Sequence, residues 1–222
     1  RVIPSIPCSR VSGRPYLPPQ KDNPPRPTLV LDLDETLVHC TRIESLKAVS
    51  QRPGTELVVQ FDDLPTYGGV LFRPFVNFFL KACAQHFELV VFTASQKSYA
   101  DKVINALDPS GTYISHRLYR EHCTEHRGAF FKELALIGRP VSKCILVDNS
   151  PIAVACNGDQ GIVVRSWYGD RSDQELMQLL TVLQECLVKG GGDFGRYLAG
   201  RFGLRDFFQA LRSGSGAAET SR

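Results

Sequence analysis

The stretch that most constrains this chain runs from Thr28 to Cys40, where the apolar triplet Leu29-Val30-Leu31 gives way to Asp32-Leu33-Asp34-Glu35-Thr36. The triplet is branched and lacks polar alternation, which is the pattern of a strand buried on both faces. Strands of that kind belong to parallel sheets covered by helices, and such sheets hold ligands at the strands' carboxyl ends. Asp32 and Asp34 fall where the strand must stop. Two carboxylates at such a mouth lose hydration and repel one another unless a cation or a proton intervenes. The pair therefore reads as a site rather than as scaffold.

Three more runs have the same character. Phe87 to Phe92 ends in Thr93-Ala94-Ser95, Cys144 to Val147 ends in Asp148-Asn149-Ser150-Pro151, and Gly161 to Val164 supplies a fourth strand. Helical periodicity fills the gaps between them. One helix opens at Arg73-Pro74, with Pro74 at its first position and Phe75, Phe78, Phe79 and Ala82 on a core face. A second spans 96–107 on Tyr99, Val103 and Ile104 or Leu107. A short one begins at 130–134, and Lys132 on it reads as an ordinary solvated lysine. A long one covers 173–188, opened by the capping-box pattern Ser172 to Glu175. A last short helix is expected over 201–211.

Between Cys40 and the first helix, Glu56 to Phe61 and Gly68 to Phe72 suggest a small antiparallel excursion, with Asp62 and Asp63 in a solvated turn. Residues 108–129 read as a basic loop crossing the active face, offering Arg120 or Arg127 to phosphate oxygens. His122, Cys123 and His126 lack the fourth ligand of a zinc site. The expected fold is α/β: a Rossmann-like parallel sheet with helices on both faces, a small β insert and no large cap domain. Eight of the fourteen prolines lie in residues 1–27, which makes them a basic extended arm. The domain proper is then 28–212, and 213–222 a disordered tail.

Composition narrows the function classes. A net charge of +3 is mild and unclustered in the central region, which argues against a nucleic-acid binder. The seven cysteines contain no CxxC pair, and Cys83, Cys144, Cys156 and Cys186 sit among apolar neighbours, as in a reducing nuclear or cytoplasmic compartment. No apolar run approaches the ~18 residues of a membrane span. The chain begins at Arg1 rather than Met, and an anchor ahead of it would change that address. A monomer is expected.

Taken together, strand ends at Asp32 with Asp34, at Thr93, and at Asp148 with Asn149, plus Lys132 between the last two, resemble the four motifs of the haloacid dehalogenase superfamily. The form Asp-Leu-Asp-Glu-Thr-Leu-Val-His at 32–39 is similar to its branch of small C-terminal-domain phosphatases, the NLI-interacting-factor-like family. The resemblance covers Thr28 to Leu187. It implies a Mg²⁺-dependent serine/threonine phosphatase working through an aspartyl-phosphate. Asp32 would be nucleophile and metal ligand. Asp34 would bind the metal through its backbone carbonyl, and its side chain would act as general acid and base. Asn149 would be a direct ligand, with Asp148 bound directly or through water. Thr93 and Lys132 would hold the phosphoryl oxygens, and Ala94, Arg120 and Tyr99 would contact substrate. To protonate the leaving oxygen, Asp34 must titrate above the usual ~3.9.

The segments on either side of Thr93 leave no room for a helical cap, so the site is expected to be open and the partner a phosphorylated protein. Relatives acting on the polymerase tail form an apolar pocket for a substrate proline. Here Arg42 and Gln96 stand at two of its walls, which makes the rim more polar. Three alternatives are a family-like binding module without activity, a small-molecule phosphatase of the same superfamily, and a receiver-type signalling domain. The receiver places its phosphoacceptor on a middle strand rather than the first.

Overall fold

A computed structural model describes residues 14–49, 54–62 and 65–203. Along the chain come β1 (Thr28–Leu31), β2 (Val38–Ile43), α1 (Leu46–Val49), β3 (Leu57–Gln60), β4 (Tyr67–Phe72), α2 (Val76–Ala84), β5 (Glu88–Phe92) and α3 (Lys97–Leu107). Then follow β6 (Ile114–Leu118), β7 (Thr124–His126), β8 (Ala129–Phe131), β9 (Cys144–Asp148), α4 (Pro151–Val154), β10 (Gly161–Val163), α5 (Glu175–Lys189) and α6 (Phe194–Phe202).

The central sheet has the order β10-β9-β1-β5-β6, and all its pairings are parallel. β1 lies in the middle, which is where a strand must be wholly apolar, and every residue of β1, β5 and β9 is buried. Side chains alternate between two cores. Leu29, Leu31, Leu89, Val91, Ile145 and Val147 pack against α2, α3, α5 and α6. Val30, Val90, Phe92 and Leu146 face α4, a 3-10 turn at Leu134–Leu136, β8 and Leu17. At about 1.5–3 kcal/mol for each fully buried apolar side chain, these two layers hold the sheet between them. Parallel register sets Thr28 opposite both Glu88 and Cys144. Counting forward, Asp32 stands level with Phe92 and Asp148, so the polar residues that end three strands emerge side by side.

Outside the sheet, β2, β4 and β3 form a separate antiparallel sheet, as the turn signals suggested. The described part of the proline-rich arm, 14–27, lies along the domain, with the Tyr16 and Leu17 amides donating to Leu136 and Ile137 carbonyls. Residues 1–13 and 213–222 lie outside the described residues, and so does most of the helix expected over 201–211. The observed last helix ends earlier, at Gly203 with φ 59°. Asp62 is an exposed turn residue whose carboxylate takes Lys102 at 2.7 Å, while Asp63 is outside the described residues.

Four expectations fail, each for a local reason. Helix α2 starts at Val76 because Phe75 takes a left-handed conformation (φ 67°), so Pro74 is not its first residue. That shift puts Val76, Phe79, Leu80 and Cys83 inward and leaves Phe75 and Phe78 44% and 56% exposed. Residues 108–129 are not a loop: they contain β6, the sheet's edge strand. An edge strand tolerates Ser115, His116 and Arg117 between its buried ends, Ile114 and Leu118, and this polarity hid it. The segment 130–134 is no helix either, since Ala129–Phe131 pairs antiparallel with Thr124–His126. Lastly, Ser172 caps nothing: its hydroxyl donates to Asp170, and Asp173 accepts the amide of Glu175, the first residue of α5.

Candidate active site

Where β1 ends, the chain turns sharply. The amides of Leu37 and Val38 both donate to the Leu33 carbonyl, and Glu35 adopts φ 59° at the apex. This tight turn holds Asp32 and Asp34 at the sheet edge. The Asp32 amide donates to the Val147 carbonyl of β9 (2.9 Å), and the Thr36 hydroxyl donates to Asp32 Oδ2 (2.9 Å). Asp32 is buried, as is Thr93, whose amide donates to Leu118 of β6 at 2.9 Å. β6, unrecognised in the sequence, therefore fixes Thr93.

Lys132 is the strongest departure from its reading as a surface residue. It is 2% exposed, and its Nζ donates to Asp32 Oδ1 at 2.5 Å and to Asp148 Oδ2 at 2.6 Å. Burial would lower the ammonium's pKa, but Asp32 and Asp148 outweigh it and hold the group charged, above the ordinary lysine value. Its backbone is anchored as firmly: the amide donates to Ala153, and the carbonyl accepts from Asn157 Nδ2 at 2.6 Å. The carboxyl of Asp148 is raised by burial and by the neighbouring Asp32, with Lys132 opposing.

Asp34 faces the same space from the other side. The hydroxyls of Ser95 and Tyr99 donate to its Oδ2 and Oδ1, each at 2.7 Å. Burial pushes its pKa up to about 6, against those two hydrogen bonds, with smaller upward pushes from Asp32 and Glu35. The Ser95 amide in turn donates to Thr93 Oγ1 (3.0 Å), so Thr93 and Asp34 are held by one residue. Asn149 Oδ1 lies 3.4 Å from the Thr36 hydroxyl, and its Nδ2 donates to Ser166 Oγ at 2.9 Å.

Asp32, Asp34, Thr93, Ala94, Arg120, Lys132, Asp148 and Asn149 all line one open cavity of about 500 Å³. Arg120 reaches it with its Nε on the Ala94 carbonyl (2.6 Å) and its guanidinium over Phe130 (5.3 Å to the ring centroid). Arg127, the other phosphate candidate, is not on the cavity wall. Nor is Tyr99: it reaches the site only through Asp34, its ring stacked on Phe61 with centroids 5.8 Å apart. Arg42 lies over the other side of that system, 5.9 Å from the Phe61 centroid. Among the described residues no three His, Cys, Asp or Glu side chains gather as a metal cage. The candidate ligands that share the cavity wall are oxygen donors: the Asp32, Asn149 and Asp148 side chains. Asp32 Oδ2 and Asn149 Oδ1 both approach one hydroxyl, so they face one small volume. A hard cation such as Mg²⁺ suits that set.

Thr36 and Ser95, which hold Asp32 and Asp34, carry no role in the sequence pattern. Both were visible as hydroxyls one or two residues from a site residue. Ser166 and Arg73 carried no local signal at all.

A family model described as NLI interacting factor-like phosphatase matches residues 27–195. The chain belongs to that family. Within it, a Caenorhabditis elegans protein named CTD small phosphatase-like protein 3 is 39% identical over 204 residues, covering 92% of this chain and 69% of that protein. The zebrafish (Danio rerio) CTD nuclear envelope phosphatase 1B is 40% identical over 166 residues, covering 73% of this chain and 67% of the relative. Other relatives are much longer, the chain spanning 29% of one from Dictyostelium discoideum. Among solved structures, Fcp1, titled an essential RNA polymerase II CTD phosphatase, superposes with a TM-score of 0.54 at 23% identity. The match covers 78% of this chain and 52% of that one, and it supports the fold. The chain thus belongs to a family of phosphatases, and its own described residues form a parallel sheet without a large cap. No helix among the described residues is long and apolar enough to cross a membrane.

Proposed function

We propose that this chain is a Mg²⁺-dependent phosphoprotein phosphatase acting on phosphoserine or phosphothreonine through a phosphorylated Asp32. The observation that carries this reading is the pairing of Asp32 with the buried Lys132 ammonium on one side of a cavity whose other side holds Asp34, lifted to about 6. Asp32 Oδ attacks phosphorus as the ester oxygen leaves, and that oxygen takes the proton carried by Asp34. The phosphoryl group now rests on Asp32. Asp34, as carboxylate, removes a proton from water, and the resulting hydroxide attacks phosphorus, freeing phosphate and restoring the Asp32 carboxylate. Lys132, the Thr93 hydroxyl and the Arg120 guanidinium face the phosphoryl oxygens and balance their charge.

Asp32, Asn149, Asp148 and the Asp34 carbonyl are the groups that would hold Mg²⁺. When bound, the ion offsets repulsion between the nucleophile and the phosphoryl oxygens. The test is an aryl phosphate burst on the purified chain. One equivalent of aryl alcohol should be released before steady state, and Asp32→Asn should abolish both burst and turnover while circular dichroism stays unchanged. Wild-type turnover by a folded Asp32→Asn variant would overturn the reading. It would also separate it from an inactive binding module, for which no variant turns over.

A further inference from the structure

Arg73 follows β4 and is 1% exposed. Its guanidinium makes four hydrogen bonds. Nη1 donates to the Thr36 carbonyl (3.0 Å), and Nη2 donates to the Arg165 carbonyl (3.1 Å) and to Asp173 Oδ2 (3.0 Å). Nε takes Asp173 Oδ1 at 2.8 Å, and the Arg73 amide donates to Leu37 (3.0 Å). Burying such a pair is a poor route to stability, since apolar residues of similar volume do as well or better. What sets this one apart is the ownership of the two carbonyls. Thr36 is the residue whose hydroxyl holds Asp32 Oδ2 and approaches Asn149 Oδ1. Arg165 precedes Ser166, which accepts from Asn149 Nδ2. One planar fork therefore ties together the loop that aims Asp32 and the loop that aims Asn149.

We propose that Arg73, locked by Asp173, is a positioning residue that holds Asp32 Oδ2 and Asn149 Oδ1 toward one cation-sized space. This rests on the Mg²⁺-dependent reading above. A lysine at 73 keeps the charge, but its point-like ammonium cannot span two carbonyls and a bidentate carboxylate at once. The loops then relax independently, and the ligands must be reordered each time the ion binds. Partners that orient metal ligands typically contribute 10–100-fold in affinity.

A matched control exists in the same molecule. Arg139 makes a second buried fork, on Glu88, with two contacts of 2.8 Å, at the opposite ends of the strands. Arg73→Lys, Asp173→Asn and Arg139→Lys are compared by thermal midpoint without metal and by calorimetric titration with Mg²⁺. The Mg²⁺ concentration giving half-maximal aryl phosphatase turnover is measured in parallel. All three variants should melt earlier. Only Arg73→Lys should bind Mg²⁺ about tenfold or more weakly, with Asp173→Asn shifted in the same direction and Arg139→Lys at the wild-type value. If Arg73→Lys does not fold, Asp173→Asn carries the same comparison. Wild-type Mg²⁺ affinity in the folded position-73 and position-173 variants would reduce the fork to scaffold and overturn the inference alone. A wild-type chain with no Mg²⁺-dependent turnover would instead bring down the catalytic reading, and this inference with it.

Discussion

At the scale of single residues, the site is a balance among three carboxyls and one ammonium. Lys132 is what lets Asp32 and Asp148 share a buried mouth. Lys132→Met removes the cation that touches both, and breaking such a buried pair costs about 3–5 kcal/mol. The expected outcome is a large fall in thermal midpoint at neutral pH that Mg²⁺ partly restores, with a larger Mg²⁺-induced rise than in wild type. Equal rises in the two proteins would mean that the ion and the lysine do not serve the same charges. Asp34 is tuned separately. Burial lifts it to about 6, and the Ser95 hydroxyl pulls the other way by stabilising the carboxylate. Deleting that hydroxyl in Ser95→Ala must raise Asp34 further. The protonated acid then persists to higher pH, so at saturating Mg²⁺ the alkaline limb of kcat on an alkyl phosphate should move upward. A downward shift, or none, would detach Asp34 from the leaving-group proton.

At the scale of elements, what was legible in the sequence was whatever one chain segment decides by itself. β1, β5 and β9 are unbroken apolar runs, so both their burial and the polar residues that end them could be read directly. The order of those strands was not legible, and the expected meeting of Asp32, Thr93 and Asn149 rested on the resemblance and on the parallel sheet. β6 was missed because an edge strand does not need an apolar pattern, and Lys132 was misplaced because its burial depends on carboxylates 100 and 16 positions away. Phe78 was misplaced by a single left-handed residue that reset the helix phase. Glu88, which opens β5, shows the same dependence on distant partners. It takes Arg139 on both oxygens, plus Gln20 and Thr28. Burial alone would raise its pKa, but these donors depress it to about 2 from an ordinary 4.5. A depressed carboxyl contributes stability that is complete above the unfolded value and disappears as pH falls through the folded one. The stability difference between wild type and Glu88→Gln should therefore be full at neutral pH and shrink between about pH 5 and pH 2. His116 Nε2 lies 3.4 Å from Glu88 Oε1, so His116→Gln serves as background. A difference that stays constant across that window would mean Glu88 is not held ionised by the fork.

At the scale of the whole molecule, the decisive property is what stands beside the cavity and what does not stand over it. Among the described residues, none of 38–72, the stretch containing the antiparallel insert, lines the cavity wall, and no second domain covers the mouth. The insert instead packs from the side: Phe61 stacks on Tyr99, and Lys102 reaches back to Gln60 and Asp62. A closed site can enclose a metabolite and use the whole of it for recognition and for excluding water. On the proposed mechanism an open one would grip only the phosphoryl group, through Lys132, Thr93 and Arg120, and must draw the rest of its binding energy from surface flanking the mouth. Such a surface exists. A groove of about 410 Å³, bordered by Gln96, Lys97, Glu121 and Glu125, shares Arg120 and Phe130 with the catalytic cavity. Because the two share a wall, an extended chain with its phosphate in the cavity can run on into the groove. Binding energy gained away from the reacting centre can be spent on the transition state, so truncating such a substrate should reduce kcat as well as raise KM. The expectation is that kcat/KM for a phosphoserine peptide of about ten residues exceeds that for sugar phosphates by at least about tenfold, and that trimming the peptide toward phosphoserine alone removes the advantage stepwise. Equal kcat/KM for free phosphoserine and the peptide would show that the flanking surface contributes nothing. A preference for the metabolite would assign this open site to small phosphate esters instead.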